Sequence, residues 1–223
     1  MSEEDNVTPN ELIGYCNEAI SEAEAEIHTL YEDYFLSYTD LTFVAGTSEY
    51  SLPTDIYADK IRAVIYSNGS LIYPITRIRN HQKFLDIQIT QNFATAEEYR
   101  YFLINRSSST GVKLILAPKA RDSGILARLW YLRSANRVPA LVNELVPAAA
   151  TDDAVIDIPE FVNFIMACMR GKLFAKENGG TIPQDAAGEI QQQRKMMVDT
   201  LTKMIPDDDD TVEWDLTHYR EHQ

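Results

Sequence analysis

No lysine or arginine occurs in the first 40 residues of this 223-residue chain, a stretch that holds 11 acidic residues. A secretion signal opens basic and then turns apolar, so Met1-Ser2-Glu3-Glu4-Asp5 does not read as one. The chain is expected to stay on the cytoplasmic side until it assembles. Long apolar runs are missing too; none approaches the roughly 18 residues that a membrane-spanning helix needs, and no membrane contact is expected. Cysteine is limited to Cys16 and Cys168. Each falls on the apolar stripe of a predicted helix, so both read as buried free thiols and not as a disulfide. The four histidines, His28, His81, His218 and His222, make no metal-ligand spacing with a cysteine or with each other on a helix face. His218 and His222 are four apart, but in a polar tail. Glycine is sparse, and neither a G-x-G-x-x-G or Walker phosphate loop nor a G-x-S-x-G nucleophile elbow occurs. Ser107, Ser108 and Ser109 sit in a loop with no histidine near in sequence. The run Asp207 to Asp210 lacks the glycine and closing glutamate of a calcium loop. The expectation is a protein without catalytic, cofactor or metal site.

Charge is abundant but unevenly placed. The net charge is −14: −11 over residues 1–40, +6 over 41–140 and −9 over 141–223. Acidic ends flanking a basic middle disfavour tight nucleic-acid binding by the whole chain, because phosphates would be repelled. The acidic blocks serve solubility on one reading. On another they match subunits electrostatically, with Glu22 and Glu26 of an acidic helix facing Arg77, Arg79, Arg100 and Arg128 of a neighbour's basic sheet.

The pattern of apolar residues predicts an α+β fold. Thr8-Pro9-Asn10-Glu11 supplies a capping threonine, a proline at the first helical position and a glutamate three residues after the threonine. Leu12, Ile13, Cys16, Ile20, Ala23, Ile27, Leu30, Tyr31 and Tyr34 then recur at helical steps. Glu11, Glu18, Glu22, Glu24, Glu26 and Glu32 cover much of the rest without i,i+4 lysines, so packing against a partner must hold this helix. From about residue 40 the period becomes two. Asn68-Gly69 between two apolar runs predicts a hairpin. A second hairpin joins Tyr99–Ile104 to Val112–Leu116, and a further strand covers Ile125–Arg133, giving an antiparallel sheet or small sandwich. Residues 79–96 read as a short helix and loop. Pro159-Glu160 opens an apolar helix stopped by Asn178-Gly179-Gly180, and Pro183 opens a last one with Ile190, Met197, Leu201, Met204 and Ile205 on its stripe. The organisation expected is a helical bundle formed by the N- and C-terminal helices with an inserted antiparallel β domain: residues 1–39 and 138–205 for the bundle, 40–137 for the β domain, and 206–223 as an acidic extended C-terminal arm.

In the arm, Thr211 to Thr217 alternates polar and apolar, with Val212, Trp214 and Leu216 on one face and Tyr219 just beyond. A lone strand of this kind is not stable by itself. It folds back on its own sheet, adds to a partner's sheet edge with Trp214 as anchor, or stays disordered. The middle strands mix Arg77, Arg79, Arg100 and Arg128 with Tyr66, Tyr73, Tyr99, Tyr101 and Trp130. That mixture leaves open an alternative, a nucleic-acid-binding accessory protein using the basic β domain, although arginine and tyrosine are equally enriched at protein interfaces.

The stretch Ala45-Gly46-Thr47-Ser48-Glu49-Tyr50-Ser51-Leu52-Pro53-Thr54-Asp55, between a first helix and a strand at Lys60–Tyr66, resembles a segment of the head-to-tail adaptor proteins of tailed bacteriophages. Leu114-Ile115-Leu116-Ala117-Pro118 leading to Leu129-Trp130-Tyr131 is similar to that family's pattern. So is Ile158-Pro159-Glu160-Phe161 opening an apolar helix, in the same order along residues 10–205. The resemblance implies a homo-oligomeric ring, usually twelve-fold, seated under the portal protein, joined to a downstream tail protein and continuing the DNA channel. It implies that genomic DNA passes the lumen without sequence-specific binding, and that the C-terminal arm, through Val212, Trp214, Leu216 and Tyr219, docks on the portal. The protein would reside in the virion neck after assembly in the host cytoplasm. The acidic first helix and long acidic tail depart from the family's pattern; an acidic surface facing the channel would let DNA slide without sticking.

Overall fold

The computed structural model describes residues 7–67, 71–90, 99–107, 111–142, 146–147 and 156–205. In chain order its elements are α1 (Pro9–Leu30), β1 (Leu36–Phe43), β2 (Glu49–Ser51), β3 (Ile56–Ser67), β4 (Ile72–Pro74), β5 (Thr76–Arg77) and α2 (His81–Thr90). They continue with β6 (Arg100–Ser107), β7 (Gly111–Ala117), β8 (Ile125–Arg133), β9 (Leu141–Val142), β10 (Val146–Pro147), α3 (Val162–Glu177) and α4 (Gln184–Met204). These segregate into two compact units. The described residues of 7–31, 139–147 and 158–205 form an α-helical unit, and those of 32–138 with 156–157 form a β unit. The architecture is α+β, with antiparallel sheets between N- and C-terminal helices.

In the helical unit, α1 starts as its sequence dictates: Pro9 takes the first position and the Thr8 hydroxyl accepts the Glu11 N–H at 3.2 Å. Cys16, Ala19, Ile20, Ala23 and Ile27 are buried on its inner stripe. The helix ends at Leu30, where Tyr31 leaves helical geometry, so Tyr31 and Tyr34 do not extend the stripe; Tyr34 lies in a single 3₁₀ turn. Strand β1 follows at once, beginning at Leu36 and not near residue 40. Aromatic residues at mixed spacing fit both periods, and pairing with β8 decides between them.

The partner that α1 requires is α3, which packs against both α1 and α4. Phe164, Ile165, Ala167, Cys168 and Gly171 of α3 are buried, whereas Met166 and Phe174 reach the surface, so this helix is less enclosed than its apolar sequence suggests. At Gly171 an added Cβ would stand 2.7 Å from Ile190 Cδ1, the close approach that lets α4 lie against α3. Asn178-Gly179-Gly180 closes α3 with Gly179 and Gly180 at positive φ and the Gly180 N–H on the Ala175 carbonyl. The carboxylates of α1 find cations here: Lys172 holds Glu18 and Glu22 at 2.6 and 3.1 Å, Lys176 holds Glu11 at 2.7 Å, and Arg194 holds Glu26 at 2.6 Å. Among the described residues, no helix is long and apolar enough to cross a membrane.

The β unit contains two four-stranded sheets, one ordered β1-β8-β3-β4 and the other β2-β7-β6-β5. All pairs are antiparallel except β5 with β6. Phe43, Val64, Tyr66, Leu129 and Tyr131 of the first sheet share one core with Tyr101, Leu114 and Leu116 of the second and with Tyr99 just before β6, so the unit is a small sandwich. The two strands that Asn68-Gly69 predicts pair as β3 and β4, Tyr66 opposite Tyr73 and Ser67 opposite Ile72; the turn itself lies outside the described residues. Strand β8 does not continue the second hairpin. It crosses to the other sheet and lies between β1 and β3, where its inward Ala127, Leu129 and Tyr131 are buried. Helix α2 rests Phe84 against Ile78, Ile115 and Ala117 of the second sheet.

Candidate interaction surface

The outward face of the first sheet is built by alternation. Residues facing the core alternate with Tyr38, Asp40 and Thr42 on β1, Trp130, Arg128 and Leu126 directly opposite them on β8, and Ala63, Ile65 and Ser67 next on β3. At its centre Arg128 bonds both carboxylate oxygens of Asp40, at 2.8 and 3.1 Å, and lays its guanidinium 4.2 Å from the centre of the Tyr38 ring. Tyr38 in turn packs on Trp130, ring centres 5.1 Å apart. The Arg128 hydrogen bond holds the Asp40 carboxyl below the usual carboxylate range, and the same bond raises Arg128. Beside this pair a shallow groove of about 260 Å³ opens between Ile65, Ile72 and Leu126. Leu36, Tyr38, Ile72 and Leu126 are 42%, 52%, 69% and 56% exposed, so four large apolar side chains of the unit are exposed on this one face.

Of the arginines that the sequence marks for an interface, Arg128 alone lies on this face. Arg77 is exposed on β5 at the edge of the other sheet, Arg79 is exposed just after it, and the half-buried Arg100 on β6 bonds the Tyr99 carbonyl at 2.9 Å. Glu22 and Glu26 hold Lys172 and Arg194 of their own bundle. Val212, Trp214, Leu216 and Tyr219 lie outside the described residues. This face, apolar on either side of its Asp40–Arg128 pair, was not singled out in the sequence. Its signal was the alternation of Leu36, Tyr38, Asp40 and Thr42, which reads as an outward polar–apolar mixture until β8 supplies Leu126 and Trp130 beside it.

Many cations of the basic middle segment are answered inside the unit. Lys60 and Arg62 both bond Glu32, Arg62 also bonds Asp33, Lys113 bonds Glu49, and Arg133 bonds Asp157. Tyr66, Tyr99 and Tyr101 are buried between the sheets, with Tyr66 and Tyr99 edge to face at 5.2 Å, and so present no open ring faces. Among the described residues no group of three or more His, Cys, Asp or Glu side chains is placed to hold a metal ion. What the arrangement offers chemically is recognition through apolar contact and sheet pairing.

Comparison with known proteins agrees with an assembly role. The sequence model described as SU10 adaptor protein matches residues 4–215. No curated protein matches the chain.

Proposed function

The chain belongs to the SU10 adaptor protein family, and on that premise we propose that its copies form a ring between portal and tail that continues the DNA channel of a tailed bacteriophage. Membership of the family makes it a bacteriophage adaptor, a structural component of the virion that associates with other head and tail proteins. The ring, the portal contact and the channel go beyond that.

The observation that carries the proposal is the open outer face of the first sheet. Four large apolar side chains around its central Asp40–Arg128 pair stand exposed, although burial of apolar area stabilises association by roughly 25 cal/mol per Å² before the cost of lost freedom is met. A neighbour that covers this face would complete the surface. The alternative, a nucleic-acid platform on the β domain, fits less well. Its tyrosines at positions 66, 99 and 101 face the core, and several of its cations are already paired.

Electron microscopy of the purified protein mixed with its portal is the test. Ring-shaped density on the tail-facing side of the portal is the expected result. A portal that stays bare at saturating protein would overturn the proposal.

A further inference from the structure

A β-sheet edge is a row of unpaired backbone donors and acceptors, and proteins usually blunt it with short strands, bulges, proline or lysine. Three of the four sheet edges in the β unit are blunted. Strands β2 and β4 have 3 residues each, with Pro74 ending β4, and β5 has 2. Strand β1 is different. It is 8 residues long, pairs with β8 through an unbroken register from Leu36↔Leu132 to Phe43↔Ile125, and has no other strand beside it among the described residues. It contains no lysine, proline or glycine, and its one charge, Asp40, is neutralised by Arg128. Such an edge is a template for one more strand.

The same chain carries, by sequence, a further alternating segment. After α4 ends at Met204, residues 206–223 remain. They could reach about 60 Å when extended at about 3.3 Å per residue. Four aspartates form a spacer, and Thr211 to Thr217 then alternates, with Val212, Trp214 and Leu216 on one face. The seven residues are one fewer than the 8 of β1, and their apolar face would sit beside the exposed Leu36 and Tyr38. Charge favours the pairing as well. By sequence the helical unit with its arm holds 21 acidic and 7 basic residues, whereas the β unit holds 13 of each. An acidic arm is therefore repelled by helices like its own and not by a neighbour's sheet.

We infer that β1 is a strand acceptor and that its occupant is the segment Thr211 to Thr217 of a neighbouring copy, with Trp214 packed beside Tyr38. The inference rests on the ring reading, since donor and acceptor are adjacent subunits. It assigns the arm to ring closure, in place of the portal contact that the family resemblance implies. Main-chain pairing supplies the affinity, the Trp214 contact fixes the register, and tethering supplies a high effective concentration.

The test uses full-length chains assembled with the portal. One chain carries Thr39→Cys, and a second carries Glu213→Cys or Asp215→Cys, which lie opposite Thr39 in an antiparallel or a parallel pairing, respectively, when Trp214 is beside Tyr38. The native Cys16 and Cys168 are buried and stay out of reach of a short thiol cross-linker. A covalent dimer between the two single-cysteine chains is expected. Adding Leu36→Lys to the acceptor should lower its yield about tenfold, as a charge on the edge disfavours pairing. Cross-linking only within a chain that carries both cysteines would mean that the arm folds back, and cross-linking to the portal would mean that it docks there; either overturns the inference. A ring in the micrographs with no cross-link between copies overturns it alone, whereas absence of the ring overturns the proposed function with it.

Discussion

Ala58 and Asp59 interrupt β3 with φ angles of +47° and +57°, a left-handed conformation that only glycine adopts freely. The interruption is a bulge: Ile56 pairs with Arg133, yet the next paired residue, Ile61, meets Tyr131. Beyond it Lys60 and Arg62 both reach Glu32. Relieving the Cβ clash at Ala58 outweighs glycine's extra freedom in the unfolded chain, so Ala58→Gly should raise stability by about 0.5–1 kcal/mol. The midpoint of a urea titration reports this; an unchanged or lower midpoint would show that the bulge is not strained at that residue. Nothing in Tyr57-Ala58-Asp59-Lys60 announces a left-handed pair. By contrast the Thr8 cap and the Gly179-Gly180 stop were legible, because each depends on chemistry local to its own residues.

Helix α1 shows how an element unfavourable alone becomes stable in place. Its glutamates repel one another along the helix, but Lys172, Lys176 and Arg194 meet them from α3 and α4. Glu11 titrates below its ordinary value because Lys176 and then Tyr15 hydrogen-bond its carboxylate. A folded-state pKa below the unfolded one means that the native form binds fewer protons. The contribution is then complete above the unfolded value of 4.5 and is lost as pH falls through the folded value. Acidification below that point should lower the urea midpoint of the native chain more than that of Glu11→Gln, as followed by far-ultraviolet circular dichroism. Equal pH slopes for the two chains would remove Glu11 from the account. The contrast should shrink in high salt, since the pair is at the surface. The need of α1 for a partner could be read from its sequence. The identity of the partner cations could not, because they lie some 150 residues away.

At the scale of the molecule, charge is sorted by unit. By sequence count the entire −14 belongs to the helical unit and its arm, and the β unit is neutral. In the β unit Lys60, Arg62, Lys113, Arg128 and Arg133 are already paired with carboxylates, which weakens the attraction for phosphates from which nucleic-acid affinity arises. In a filter-binding assay at moderate salt the protein should retain no duplex or single-stranded DNA above background. Measurable affinity that falls steeply with salt would instead favour the nucleic-acid reading of the β domain. The adaptor family, for its part, was visible in short motifs whose order along the chain mattered more than any one of them, and the match over residues 4–215 agrees.

By itself the sequence determined the kinds of element, most of their ends and the fold class, since caps, turns and period act over a few residues. Tertiary structure alone decided that β8 crosses to the first sheet, that Tyr66, Tyr99 and Tyr101 face inward, and that β1 has no second neighbouring strand among the described residues. Each of these depends on which strands become neighbours, and an alternating strand pairs equally well with several others until packing of the two sheets selects one arrangement.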